Sequence, residues 1–236
     1  MSGREFRGPI EDGDWPERPV ARAVAPGPKP RIRGYAVDDD LALNASAAER
    51  LWLTLKGELP DAAQLRAFEV TLAFASPAHV GEAPTGAAIA ARLAGGRKAG
   101  FIQTACAVLG EQAQRFDAIG VSLSTWREER GAVPAALAPA DDEHPERTAA
   151  FAEAIRAAAE GAGDARLEVH WDELGLMAAL ADAWWQLGIR RAEEWIALWV
   201  HARLPAVVAE AMYVRPGTFH LYPMNTPEFR YEEDER

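Results

Sequence analysis

Cysteine is nearly absent from this chain of 236 residues, where Cys106 stands alone. One cysteine excludes an internal disulfide framework and a cysteine-built metal site. It lies in the apolar helical run "IQTACAVLG", which suits a buried structural thiol better than a nucleophile. Histidine is scarce too, with five in all, and no two have the spacing of a zinc pair on one helix, so no metal site is expected. No apolar run approaches the length that spans a bilayer. The opening "MSGREFRGPIEDGDWPERP" lacks the apolar centre of a signal peptide. Positive charge is in deficit: a net charge of -11 argues against nucleic acid or an anionic membrane as the partner. A few focused arginines could still hold an acidic small molecule. There is no phosphate-cradling glycine loop, no heptad pattern and no repeat of fixed period. These absences together predict a cytoplasmic protein.

What the chain does contain is helix. With 49% hydrophobic and 26% charged residues it reads as globular and large enough for one compact domain or two lobes. Residues 1–30 are rich in proline, glycine and charge and predict an extended arm. From "RIRGYAV" onward the pattern is read as helical. "SAAERLWLTLKGELP" carries Ser46 as N-cap, Glu49 three residues on and Gly57 as a stop; "DAAQLRAFEVTLAFAS" repeats this with Asp61 as cap and Leu65, Phe68 and Leu72 on one face. "APTGAAIAARLAGG" and "GFIQTACAVLGEQAQRF" are alanine-rich and predict two buried helices. "ERTAAFAEAIRAAAEGAG", "DELGLMAALADAWWQLGI" and "RAEEWIALWVHARLPAVVAEAM" complete the set, the last with Pro205 as a site of bending. No run alternates with period two convincingly, so the fold class is all-α. The closing "EFRYEEDER" is expected at the surface.

A few residues stand out against this background. His144 sits in a charged loop, His220 in the tail, and His201 in "LWVHAR", where a partly buried structural place is expected. His79, in the Pro/Gly-interrupted loop "SPAHVGEAPTG", is in a position to be presented to a cleft. Asp172, in "VHWDELG" beside His170, reads either as a first-turn carboxylate favoured by a helix dipole or as a general base. Trp184, Trp185, Trp195 and Trp199 fall at helical spacing and predict core. Arg203 lies among Leu198, Trp199, Leu204 and Val207. An arginine in such company needs an anionic partner or must snorkel to water, and a substrate carboxylate is one such partner.

The order of these pieces resembles the citrate synthase superfamily, in particular its short lyase branch of citryl-CoA lyase and the C-terminal module of ATP-citrate lyase. "RIRGYAVDDDLALNASAAERLWLTLKGELPDAAQL" resembles that family's R-G-Y opening, acidic-Leu step, helix and K/T-G-E-L-P turn. "AHVGEAPTGAAIAAR" resembles its D-H-G step, "RLEVHWDELGLMAALADAWWQLG" its N-V-D-G helix, "ALWVHARLP" its F-A-x-x-R helix and "EFRYEE" its closing segment. The likeness spans roughly residues 31 to 232. It implies a citrate synthase-like all-α fold with a cleft between two lobes. The large lobe would take residues 31–117 and 179–236 and the small lobe residues 118–178. It also implies a dimer.

The resemblance implies chemistry as well: making or breaking a C–C bond in a 3-hydroxyacyl-CoA, from acetyl-CoA and a 2-oxo acid such as oxaloacetate. Asp172 would exchange a proton with the acetyl methyl, His79 would polarise the carbonyl, and Arg147 (in "HPER") and Arg203 would hold carboxylates. CoA enters as a thioester substrate, and no covalently bound cofactor is expected. A thioester C–H is so weakly acidic that a carboxylate removes its proton only while the enolate oxygen is stabilised. Where the family has a V-P-G-F-G-H loop this chain has "VPAALA", Val133 to Ala138, with alanine in the place of the histidine. Leu109-Gly110 is followed by "EQAQRF" rather than a glycine-rich turn. Glycine lets a backbone approach a ligand more closely than alanine does. The alternative is therefore a catalytically degenerate subunit paired with an active paralogue as a heterodimer, and a carboxylate binder is a third.

Overall fold

The structure, a computed structural model, describes residues 23–129, 131–140, 145–162 and 167–216. Most of the expected arm, His144, His220 and the closing "EFRYEEDER" lie outside the described residues. The chain divides into two compact units, Met1–Pro60 and Asp61–Arg236.

In the first unit the segment read as helical from its start departs from expectation. β1 (Val24–Ala25), β2 (Arg31–Ile32) and β3 (Tyr35–Ala36) form a small antiparallel sheet in that order. Ile32 pairs with Val24 on one side and Tyr35 on the other. The reason is the Arg33–Gly34 turn. Both residues have positive φ, 50° and 93°, as a two-residue hairpin turn matching strand twist demands. The Arg33 guanidinium donates two hydrogen bonds to the Thr54 carbonyl, at 3.1 and 2.9 Å, which holds this non-glycine residue in the left-handed region. Strands of two residues are too short to show alternation, so the pattern could not betray them. A π-helical turn, Val37–Leu41, leads into α1 (Ala42–Asn44) and α2 (Ala47–Lys56).

α2 forms as its ends require. The Ser46 side chain accepts from the Glu49 N–H at 3.1 Å, the Glu49 carboxylate accepts from the Ser46 N–H, and Gly57 closes the helix with φ 87°. Ser46→Ala should lower stability by about 1 kcal/mol, read as a shift in the denaturant midpoint; no shift would mean that the cap is not used in solution.

The second unit holds α3 (Ala62–Ala75), α4 (Ala83–Leu93), α5 (Lys98–Ala113), α6 (Arg115–Glu129), α7 (Pro145–Ala162), α8 (Leu176–Gln186) and α9 (Ala192–Met212). Asp61 caps α3 through the Gln64 N–H at 2.8 Å. α4, α5 and α9 pack on one another, with Ala88, Phe101, Ala105, Leu109, Val207 and Ala211 at the centre. The alanines permit close helix approach. α3 packs along α7, and α8 lies against α3, α6 and α7.

At the heart of this unit Phe116 meets three tryptophans, with ring centroids 5.8 Å from Trp184, 6.1 Å from Trp195 and 5.8 Å from Trp199. These tryptophans are core, as their spacing predicts. Each indole N–H has an acceptor: Thr71 for Trp184, the Ile189 carbonyl for Trp195 and Gln112 for Trp199. Three expectations are corrected. Trp185 is half-buried rather than core, its ring set against the Arg127 and Arg190 guanidiniums. Cys106 is half-buried rather than buried, and His201 is exposed because it sits two positions from Arg203, on the far side of α9. Among the described residues no helix is long and apolar enough to cross a membrane.

Candidate functional site

The site grows from the end of α3. Pro77 stops that helix, leaving its last carbonyls without intrahelical partners. Two guanidinium groups take them. Arg147 on α7 donates to the Phe74 carbonyl at 3.3 Å, and Arg203 on α9 donates to the Ala75 carbonyl at 3.3 Å. A helix C-terminus carries partial negative charge, so cations are favoured there. Arg203 is buried, its side chain 5% exposed, with the Trp199 ring 4.5 Å from its guanidinium carbon. The anionic partner this arginine needs is Glu82, and the two form an ion pair. Burial lowers the Arg203 pKa from its ordinary value; the Glu82 charge and hydrogen bond oppose this, and the neighbouring Arg147 charge adds to it.

His79 joins the same group through Glu82. The loop from Pro77 to Gly81 folds so that the Glu82 N–H donates to the His79 carbonyl at 3.0 Å, while the His79 N–H donates to Glu82 Oε1 at 3.3 Å. The Gly81 N–H donates to His79 Nδ1 at 3.2 Å. A neutral ring therefore carries its proton on Nε2, which lies 3.5 Å from Glu82 Oε1. The ring itself is 76% exposed. Thus three of the four residues singled out in the sequence, His79, Arg147 and Arg203, come together at one end of α3.

Asp172 is not in that group. It is exposed and makes no hydrogen bond or ion pair among the described residues. It is not a first-turn carboxylate either, since α8 begins at Leu176 with Gly175 as its N-cap. Asp172 instead occupies a turn closed by the Leu174 N–H to the Trp171 carbonyl, 3.0 Å. This turn is well anchored on both sides. Trp171 stacks on Phe151 at 4.7 Å and donates its indole N–H to Asp182 at 2.9 Å. The Gly175 N–H donates to the Leu137 carbonyl at 2.9 Å, tying the "VPAALA" segment to the Asp172 turn.

Two carboxylates that matter here escaped the reading of the sequence. Glu82 precedes Ala83 and Pro84 and passes for an ordinary helix cap. Asp182 lies within a helix otherwise apolar from Leu176 to Trp184, and is itself buried. It accepts from Arg127, from Trp171 and, at 2.7 Å, from Gln186. The signal that could have found it is the one that flagged Arg203, a charge in apolar company that must have partners.

No protein family matches the sequence, and no curated protein does. The fold, however, is all-α and citrate synthase-like, the class to which the solved structures it resembles belong. One is citryl-CoA lyase from Hydrogenobacter thermophilus, 17% identical, with 92% of this chain and 96% of that chain covered at a TM-score of 0.62. Another is ATP citrate lyase from Methanothrix soehngenii in complex with citrate and coenzyme A, 12% identical, with 96% of this chain covered at a TM-score of 0.54. The chain spans 44% of that second protein. At such identities the likeness is one of fold.

Proposed function

We propose that this protein makes or breaks a carbon–carbon bond in a 3-hydroxyacyl-CoA, in the manner of a citryl-CoA lyase. The reaction would join or release acetyl-CoA and a 2-oxo acid such as oxaloacetate. The observation that carries this reading is the convergence of Arg147 and Arg203 beside His79, at the end of α3. Arg147 brings charge to hold a carboxylate and His79 a donor for the carbonyl oxygen, the two groups a 2-oxo acid calls for, while Arg203 is already paired with Glu82. Asp172, on its anchored turn, takes the methyl proton of the thioester, a step that needs a donor to the enolate oxygen other than the side chain of Ala138. The enolate carbon then attacks the 2-oxo acid carbonyl, and the oxygen takes the His79 Nε2 proton to become the product hydroxyl. In the reverse direction His79 takes the hydroxyl proton as the C–C bond breaks, and Asp172 returns its proton to the enolate carbon.

For this, Asp172 and His79 must meet over the substrate, as groups do in enzymes that close to exclude water. CoA is a substrate here, with no bound cofactor, and the working form is a dimer, either of identical chains or with a paralogue.

A second reading has its own support: Asp172 is exposed with no hydrogen bond or ion pair among the described residues, and Ala138 stands at the end of "VPAALA". In it the chain is a catalytically degenerate subunit beside an active paralogue. Isothermal titration with CoA and acetyl-CoA, followed by a citryl-CoA cleavage assay on the purified chain, separates the two. Binding and cleavage are the expected outcome. If neither CoA species binds and activity returns only with a co-purified paralogue, the subunit reading replaces the enzyme.

A further inference from the structure

Glu82 holds an unusual position for a helix cap. It stands at the N-cap of α4, yet its side chain makes no cap hydrogen bond to that helix. Its oxygens turn instead to the Arg203 guanidinium and to the backbone N–H and ring of His79. Its side chain is 21% exposed. It is thus an internal carboxylate set where a carboxylate ligand of Arg203 would sit.

The charge balance follows. Arg147 and Arg203 each carry a positive charge and Glu82 a negative one, so the group has a single unit of positive charge left for a ligand. A second ligand carboxylate would meet the Glu82 carboxylate within partly buried surroundings, where like charges are repelled strongly.

We propose that Glu82 is a built-in carboxylate that occupies half of the arginine pair, so that the site takes a 2-oxo acid bearing one carboxylate and discriminates against those bearing two. The monocarboxylate is held by Arg147, while Arg203, spoken for by Glu82, lines the site. The 2-oxo acid identity rests on the function proposed above; the charge discrimination rests on the ion pair alone.

The test is isothermal titration of the full chain with pyruvate and with freshly dissolved oxaloacetate, in wild type, Glu82→Gln and Arg147→Gln. Wild type should bind pyruvate tighter than oxaloacetate by about tenfold or more, the usual scale for one charged hydrogen bond. Glu82→Gln keeps an acceptor for Arg203 but removes the charge, and should shrink or reverse that ratio by about tenfold. Arg147→Gln, at a half-buried site with one backbone hydrogen bond, tests the same idea without touching the buried pair: pyruvate affinity should fall by about tenfold or more. Oxaloacetate binding wild type as tightly as pyruvate, an unchanged ratio in a folded Glu82→Gln, or unchanged pyruvate affinity in Arg147→Gln would each overturn the proposal. So would binding of neither acid. Free acids need neither CoA nor turnover to bind. A protein that discriminates as described but cleaves no thioester therefore refutes the proposed reaction and leaves this inference standing.

Discussion

Asp172→Asn should cleave citryl-CoA roughly 100- to 10,000-fold more slowly than wild type, the range spanned by general acid–base groups. The amide neither takes the methyl proton nor returns it to the enolate. What makes this variant informative is the setting of Asp172. The side chain is exposed and has no hydrogen bond or ion pair among the described residues, so its replacement removes none of their hydrogen bonds or ion pairs. Thermal stability and carboxylate binding should therefore match wild type, which confines the loss to the proton step. Wild type and Asp172→Asn cleaving at equal rates would reject the base outright, whatever the fold resemblance.

Asp182→Ala should destabilise the protein by about 3–5 kcal/mol, the usual cost of removing one partner from a buried ion pair. Asp182 is buried and receives Arg127, the Trp171 indole and Gln186 together. Alanine leaves the Arg127 charge, whose side chain is only 14% exposed, without its carboxylate. It also leaves the Trp171 N–H without its acceptor. Arg127 has a weaker hold on the Trp185 ring, 4.4 Å from its guanidinium carbon, which does not replace an anion. Asp182→Asn keeps one acceptor oxygen, turns an amide NH2 towards the remaining donors and loses the charge, and should fall between wild type and Asp182→Ala. Urea unfolding followed by tryptophan fluorescence reads the effect. A change below about 1 kcal/mol, the scale of a single neutral hydrogen bond, would show that the buried ion pair does not persist in solution.

Local chemistry made much of the fold legible in the sequence. Ser46 with Glu49, Asp61 with Gln64 and the Gly57 stop all act within four residues, so sequence spacing and spatial contact coincide. The tryptophans announced the core because nothing but burial accommodates so many of them at helical spacing. Arg203 announced its need for a partner, but not which one: Glu82 is 121 residues away, and a separation of that kind is settled by helix packing. The strands were invisible at two residues each. The start of α8 was set too early, since the run "DELG" looks like a first turn and is in fact the turn before Gly175. The long reach of the resemblance came from short motifs whose geometry is demanding. Arg33–Gly34 is the clearest of them, a hairpin turn that few residue pairs can make.

The Asp182 cluster also bears on how this chain could drift through evolutionary time. Losing the acid alone strands its donors, whereas exchanging acid and arginine together for apolar residues of similar volume is often tolerated. Descendants of the same ancestor should therefore show positions 127 and 182 changing in concert, both ionic or both neutral. Position 171 should follow them, since an indole without an acceptor at 182 loses its reason to be there. A lineage that had abandoned that trio would also have released the turn that presents Asp172, and its history could be dated by which of the changes came first.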